Sequence, residues 1–172
     1  MANKEALREL QTRLAQRMQV AKNEPAMHAW LAVECAGQGM LLPLEQAGEI
    51  FNAGRILTVP HTRPWFAGVA NLRGGLHGVI DIAVFLGLEK HSKRRDHSLL
   101  VALNTNLNSH SAVLVEKLAG LRSAEQMSAE AADEKPRPEF AGARWKDAQD
   151  RVWQEIDLAA LSRHEQFLAI AA

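Results

Sequence analysis

From His28 onward the apolar residues of this chain come in short runs with a period of two, each broken by Gly, Asn or Pro. Leu31, Val33 and Cys35 alternate with Trp30, Ala32 and Glu34. A period of two sends successive side chains to opposite faces of an extended backbone, so such runs read as strands. Gly37-Gln38-Gly39 turns the first run into a second at residues 40–42. Further strands are expected near residues 48–51, 55–59, 67–72, 76–80, 99–103 and 112–115. Between the last two, residues 104–109 are rich in Asn and Ser, which tolerate left-handed backbone or bond their own main chain. Residues 123–139 are polar and acidic, with Pro136 and Pro138, and read as a loop or ragged helix. A last hairpin is expected from 141–145 to 151–156, turning through 146–150. Many short strands at close spacing predict a barrel or a sandwich.

Helical periods mark the two ends. Leu7, Leu10, Leu14 and Met18 recur at spacings of three and four within residues 3–22, with Lys4, Arg8, Glu9, Arg13 and Arg17 on the other sides. Asn3 can cap this helix, Glu9 can pair with Arg13 one turn on, and Asn23 and Pro25 stop it. The narrow apolar stripe needs a surface to cover it, and packing on its own domain is favoured over docking on another protein. After residue 156, Asp157 can cap a short tail helix. The expected division is residues 1–24 as an amphipathic helix and 25–172 as the β domain.

Charge narrows the function classes. Lys plus Arg and Asp plus Glu number 20 each, so net charge is zero, which argues against nucleic acid as the main partner. Cys35 is the single cysteine, so an internal disulfide is impossible and a cysteine-based zinc site has too few ligands. The first residues alternate charge with small apolar groups, unlike a signal peptide, and no apolar run reaches the ~20 residues needed to span a bilayer. A soluble cytoplasmic protein without membrane insertion is expected.

The chemistry-bearing candidates are sparse. His91, Asp96 and His97 lie close together, but their spacing fits no zincin motif and Lys93, Arg94 and Arg95 between them would repel a dication. His77 with Asp81 reads as a strand face and a helix cap. No phosphate-binding glycine loop and no nucleophile elbow is present, so the chain is read as no enzyme and no cofactor is expected. An enzyme or metal protein using His and Asp is the first alternative. A generic SH3-like module for proline-rich peptides is the second, weakened by the absence of Tyr and the thin aromatic supply of Phe51, Trp65 and Phe66. The four tryptophans are most simply core or barrel-rim residues.

Two features remain. Ile80-Asp81-Ile82-Ala83-Val84-Phe85 echoes Ile156-Asp157-Leu158-Ala159-Ala160-Leu161: each is a strand end, an aspartate cap and a short apolar helix. Such a repeat suggests two similar barrels. The other feature is residues 44–87, where Pro60 and Pro64 punctuate the strands, Gly68 admits close backbone approach, and Arg73-Gly74-Gly75 makes a tight reversal beside an available guanidinium.

That stretch resembles the CheW family of chemotaxis adaptors. The resemblance is carried by Ala47-Gly48-Glu49-Ile50, Pro60, Gly68-Val-Ala-Asn-Leu-Arg-Gly74 and Val79-Ile80-Asp81-Ile82, with weaker echoes at Val115-Glu-Lys-Leu118 and Ile156-Asp157-Leu158. The added N-terminal helix and the ending from His164 are most similar to its twitching-motility branch. His77, Ala47 and Glu116 depart from the family's usual proline, valine and aspartate. The resemblance implies a mainly β fold of two intertwined five-stranded SH3-like barrels. It implies a scaffold linking a methyl-accepting chemoreceptor to a CheA-like histidine kinase, in a system controlling type IV pili and located at membrane-associated receptor arrays. By position, Ala47, Glu49, Gly68 and Arg73 are implied to face the receptor, while Asn71, Gly74 and Asp81 hold the turn and the strand exit.

Overall fold

A computed structural model describes residues 2–22, 28–93 and 97–172. The expectations on Asn23, Pro25, Asp96 and the capping side chain of Asn3 fall outside the described residues and side chains. Eleven strands are described: β1 (Ala29–Cys35), β2 (Gln38–Pro43), β3 (Ala47–Asn52), β4 (Phe66–Leu72), β5 (Gly75–Asp81) and β6 (Leu99–Leu103) come first. They are followed by β7 (Ser111–Val115), β8 (Lys117–Ser123), β9 (Ser128–Ala129), β10 (Ala141–Lys146) and β11 (Val152–Ile156). Helices are α1 (Ala2–Lys22), α2 (Ile82–Phe85), α3 (Leu158–Arg163) and α4 (Glu165–Leu168).

The strands divide into two sheets, ordered β8-β1-β2-β11-β10-β9 and β3-β6-β7-β5-β4. The chain starts the first sheet, leaves to build the whole of the second, then returns to finish the first. Each barrel therefore contains one parallel pair among antiparallel ones: β11 runs beside β2, and β5 beside β7. The repeat noticed in the sequence sits just after those two strands. Asp81 and Asp157 take almost the same backbone angles (φ −76°, ψ 104° and φ −73°, ψ 103°), and each caps the helix that follows, Asp81 accepting from the amides of Ala83 and Val84 and Asp157 from that of Ala160.

Central strands are apolar on both faces, because each faces a barrel interior on one side and the space between the barrels on the other. In β1, Trp30 and Ala32 enter the first barrel with Leu41 and Trp153, while Leu31, Val33 and Cys35 join the shared core. In β6, Leu100 and Ala102 enter the second barrel, and Leu99, Val101 and Leu103 join that same shared core. The unbroken apolar run at 99–103 is the signature of such a strand. Trp30, Trp65 and Trp153 are buried. Burial also pushes the Cys35 thiol up to about 12, which leaves it a packing group rather than a nucleophile.

Several local expectations need correction. Residues 55–59 make no strand; only Leu57 bridges to Val69, and Pro60 closes the run directly after Val59. Residues 117–123, where the pattern predicts no strand, form β8 on β1, across a register shift at Ala32/Val33 that blurs the alternation. The β1–β2 turn is Ala36-Gly37, and Gly39 lies within β2 under the ring of Trp153, where a Cβ would come within 2.6 Å of the indole. The first sheet carries the two-residue β9 as a sixth strand, within the stretch read as loop.

α1 packs in cis, against β3. Leu14 and Met18 are buried and Gln11 donates to Asn52 Oδ1 at 3.0 Å, whereas Leu10 stays 60% exposed. Glu9 and Arg13 pair at 3.4 Å. Gln46, which carried no sequence signal, ties the barrels: its side chain donates to Asp157 at 3.1 Å and accepts from the Leu158 amide at 2.7 Å.

At the first barrel Glu34 accepts from Arg151 at 2.6 Å with Lys117 at 3.6 Å, so the Arg151 hydrogen bond holds its carboxyl below the ordinary range despite partial burial. Asp147 is likewise lowered, first by the indole N–H of Trp153, which donates to it at 2.9 Å. Both are depressed carboxylates, so their stabilisation is whole above about pH 4.5 and is lost as pH falls through the lowered folded values. The urea midpoint of Glu34→Gln should therefore lie below the parent's at pH 7. The gap should narrow at pH 3; a gap that stays constant from pH 7 to pH 3 would contradict the assignment.

Candidate functional site

β4 and β5 meet in a two-residue turn, Arg73-Gly74, with φ of 49° and 83°. Both central residues at positive φ define the turn whose twist matches paired strands, and glycine adopts it freely while arginine does so at a cost on the order of 1 kcal/mol. The side chain of Asn71 locks the turn by accepting from the Gly74 amide at 2.8 Å. At the other end of β5, Asp81 Oδ1 accepts from Ala83 and Val84 at 3.1 and 3.2 Å, and the Ser92 hydroxyl donates to its other oxygen. The hairpin is thus pinned at both ends by side chain to backbone bonds.

Arg73 reaches across to Glu49 in β3, the opposite end of the sheet order, and their ion pair measures 2.5 Å. It lies where the curled sheet closes on itself. Their side chains remain 75% and 47% exposed, so solvent screens the pair and its share in folding stability is at most about 1 kcal/mol. Two charges presented by a strand and a locked turn, yet little needed for stability, are free to meet another surface.

Ala47 and Gly68, grouped with them by position, sit elsewhere. Ala47 is fully buried in the shared core, and Gly68 is buried at a bulge where a Cβ would lie 2.1 Å from the Leu57 carbonyl oxygen. Neither offers a side chain to a partner. Beside the Glu49–Arg73 pair runs a groove of about 560 Å³ between α1 and the β4–β5 tip, floored by Ile50, Phe51 and Leu103. Sequence reasoning missed the groove, since its walls are about sixty residues apart in the chain.

The histidine candidates do not assemble. His77 Nδ1 lies 3.0 Å from the Gly75 carbonyl and its ring meets His110 rather than Asp81, while His91 and His97 are exposed. Among the described residues no group of three His, Cys, Asp or Glu side chains could hold a metal ion. No described helix is long and apolar enough to cross a membrane.

Residues 29–166 match the family of the CheW-like domain. The chain belongs to the CheW-like domain family. The same span contains both barrels and the Glu49–Arg73 pair, and it leaves α1 outside the match. Among curated proteins, the chain is similar to Protein PilI of Pseudomonas aeruginosa, 27% identical over 101 residues that make up 58% of this chain. The matched region spans 56% of that relative, a little over half its length. Among solved structures, the scaffolding protein TtCheW from Thermoanaerobacter tengcongensis superposes with a TM-score of 0.64 at 19% identity, covering 79% of this chain and 88% of that one. At that identity the likeness concerns the fold, and it agrees with the CheW-like double barrel read from the sequence.

Proposed function

We propose that this chain is a non-catalytic adaptor that joins a methyl-accepting chemoreceptor to a CheA-like histidine kinase in a chemosensory system governing type IV pili. The carrying observation is the Glu49–Arg73 pair: two mutually satisfied, solvent-facing charges, one on strand β3 and one on the β4–β5 turn, at the closing seam of a CheW-like barrel. A carboxylate and a guanidinium fixed in this way recognise a polar surface of defined geometry, because the guanidinium fork and the carboxylate demand oriented partners. The similarity to Protein PilI supports the pilus system, and the likeness in fold to TtCheW, a scaffolding protein, supports an adaptor.

The receptor's cytoplasmic hairpin tip is the partner proposed for the Glu49–Arg73 face. The regulatory domain of the kinase takes a different face, and the complex lies in the cytoplasm at receptor arrays. Coupling needs contacts that differ between receptor states, since a body that binds both states equally shifts nothing. Each contact can be weak where many copies in an array multiply it.

Arg73→Ala and Glu49→Ala are each expected to weaken binding of a purified receptor cytoplasmic fragment roughly tenfold, the range of a central polar anchor. Their stability should change by only about 0.5 kcal/mol, because the pair is exposed. Kinase autophosphorylation in the presence of receptor should depend on adding this chain and should lose that dependence with Arg73→Ala. Undiminished receptor binding by both variants would remove the site assignment, and kinase activity indifferent to the chain would remove the coupling role.

A further inference from the structure

We infer that α1, the segment lying outside the CheW-like match, is a wall of the receptor-binding groove and selects which helical hairpin can enter it. This rests on the reading of Glu49 and Arg73 given above. The groove beside that pair is bounded on one side by Gln11, Leu14, Ala15, Met18 and Gln19 of α1. Their spacings of three and one alternate along the helix, so they form one continuous face. Leu14 and Met18 turn down and are buried on the sheet, while Ala15 and Gln19 stay exposed along the trough.

A helix in this place acts either as a lid that hides the pair or as a wall that leaves it reachable. The exposure decides between them. With α1 docked, the side chains of Arg73 and Glu49 remain 75% and 47% exposed, so the helix narrows the approach without closing it. The open trough it leaves has an apolar floor at Ile50 and Phe51 and a rim that carries one negative and one positive charge. An occupant that lays down an apolar stripe and offers both charge signs on its flanks satisfies that lining, which describes an amphipathic helix bearing acidic and basic residues. The ridge of a second helix seats against the face of α1 as helices pack on one another, and the small side chain of Ala15 marks the place where it comes close.

α1 therefore adds recognition that the barrels alone lack. A partner helix with a bulky residue facing Ala15 is refused, and one with a small residue there is admitted. Specificity arises from exclusion as much as attraction.

The test uses the full chain and the cytoplasmic hairpin fragment of the methyl-accepting receptor from the same organism's pilus system. Ala15→Trp fills the trough at an exposed helical position, and Gln16→Trp adds the same ring on an exposed position that does not line it. Ala15→Trp is expected to weaken fragment binding at least about tenfold, with Gln16→Trp within about twofold of the parent and both retaining the parent's helix content. Equal binding by both tryptophan variants overturns the wall, and tighter binding by Ala15→Trp identifies α1 as a displaceable cover instead. Arg73→Ala is measured alongside. If it binds like the parent, the site reading itself falls; if it is weakened while the two tryptophan variants agree, only the role of α1 falls.

Discussion

Gly68→Val is expected to destabilise the fold by about 3–5 kcal/mol, moving the urea midpoint down by roughly 2 M. The position combines two obstacles. Its φ of 135° lies where L side chains are rarely found, and a Cβ there would sit 2.1 Å from the Leu57 carbonyl oxygen. Relief by retreat is blocked, because Leu57 and Val69 exchange two main-chain hydrogen bonds at 2.8 and 2.9 Å, and moving the Leu57 segment away breaks both. Gly74 supplies the control. It too has positive φ, but nothing lies within 4 Å of the Cβ that would be added. Asparagine tolerates that backbone, so Gly74→Asn should cost at most about 1 kcal/mol. Equal midpoints for Gly68→Val and the parent would show that the bulge is not rigid.

The second large effect is at Trp153. Truncation to alanine is expected to cost about 3–5 kcal/mol, measured by the same urea titration. The indole is 1% exposed, fills the first barrel with Trp30 and Leu41, and lies against the bare face of Gly39. On the ring stand two guanidiniums, Arg151 at 4.5 Å and Arg122 at 5.5 Å. Its N–H donates to Asp147, whose other oxygen accepts from the amides of Gln149 and Arg151 and so shapes the β10–β11 turn. One side chain thus fills the barrel, orders the turn and seats Arg151 for its bond to Glu34. Trp153→Phe keeps the ring volume largely and loses the N–H, so it should recover more than half of the deficit. A variant Trp153→Ala within about 1 kcal/mol of the parent would mean that the barrel interior collapses without strain.

Where the strand pattern was readable, it was readable for a physical reason. β1, β6 and β7 have both faces buried or regularly alternating, and their runs stand out. β8 did not, since it pairs through a shifted register on β1 and most of its residues are only partly buried. Residues 55–59 misled in the opposite sense: Arg55-Ile-Leu-Thr-Val59 has strand composition, yet only Leu57 finds a partner. Composition reports fitness for a strand, whereas pairing depends on what lies alongside.

The candidate site divides in the same way. The Arg73-Gly74 turn and the Asp81 cap are local devices, closed within four residues, and their residue types announce them. That Glu49 would meet Arg73, while Ala47 and Gly68 withdrew inside, depends on the curl that brings β3 to the β4–β5 tip. The groove along α1 depends on the same curl and on where a helix from the chain's start comes to rest.

By itself the sequence determined most of the element types, the two aspartate-capped strand exits, the glycine-built turn and the kinship with CheW-like domains. Each of these follows from residues near one another in the chain, where backbone sterics and hydrogen bonding act directly. Only the tertiary structure decided that the last strands return to β2, that Gln46 bridges to Asp157 and that α1 lies beside Glu49. Those contacts join segments from about forty to more than a hundred residues apart, and apolar burial, which draws them together, is non-directional and leaves no local mark on the residues that meet.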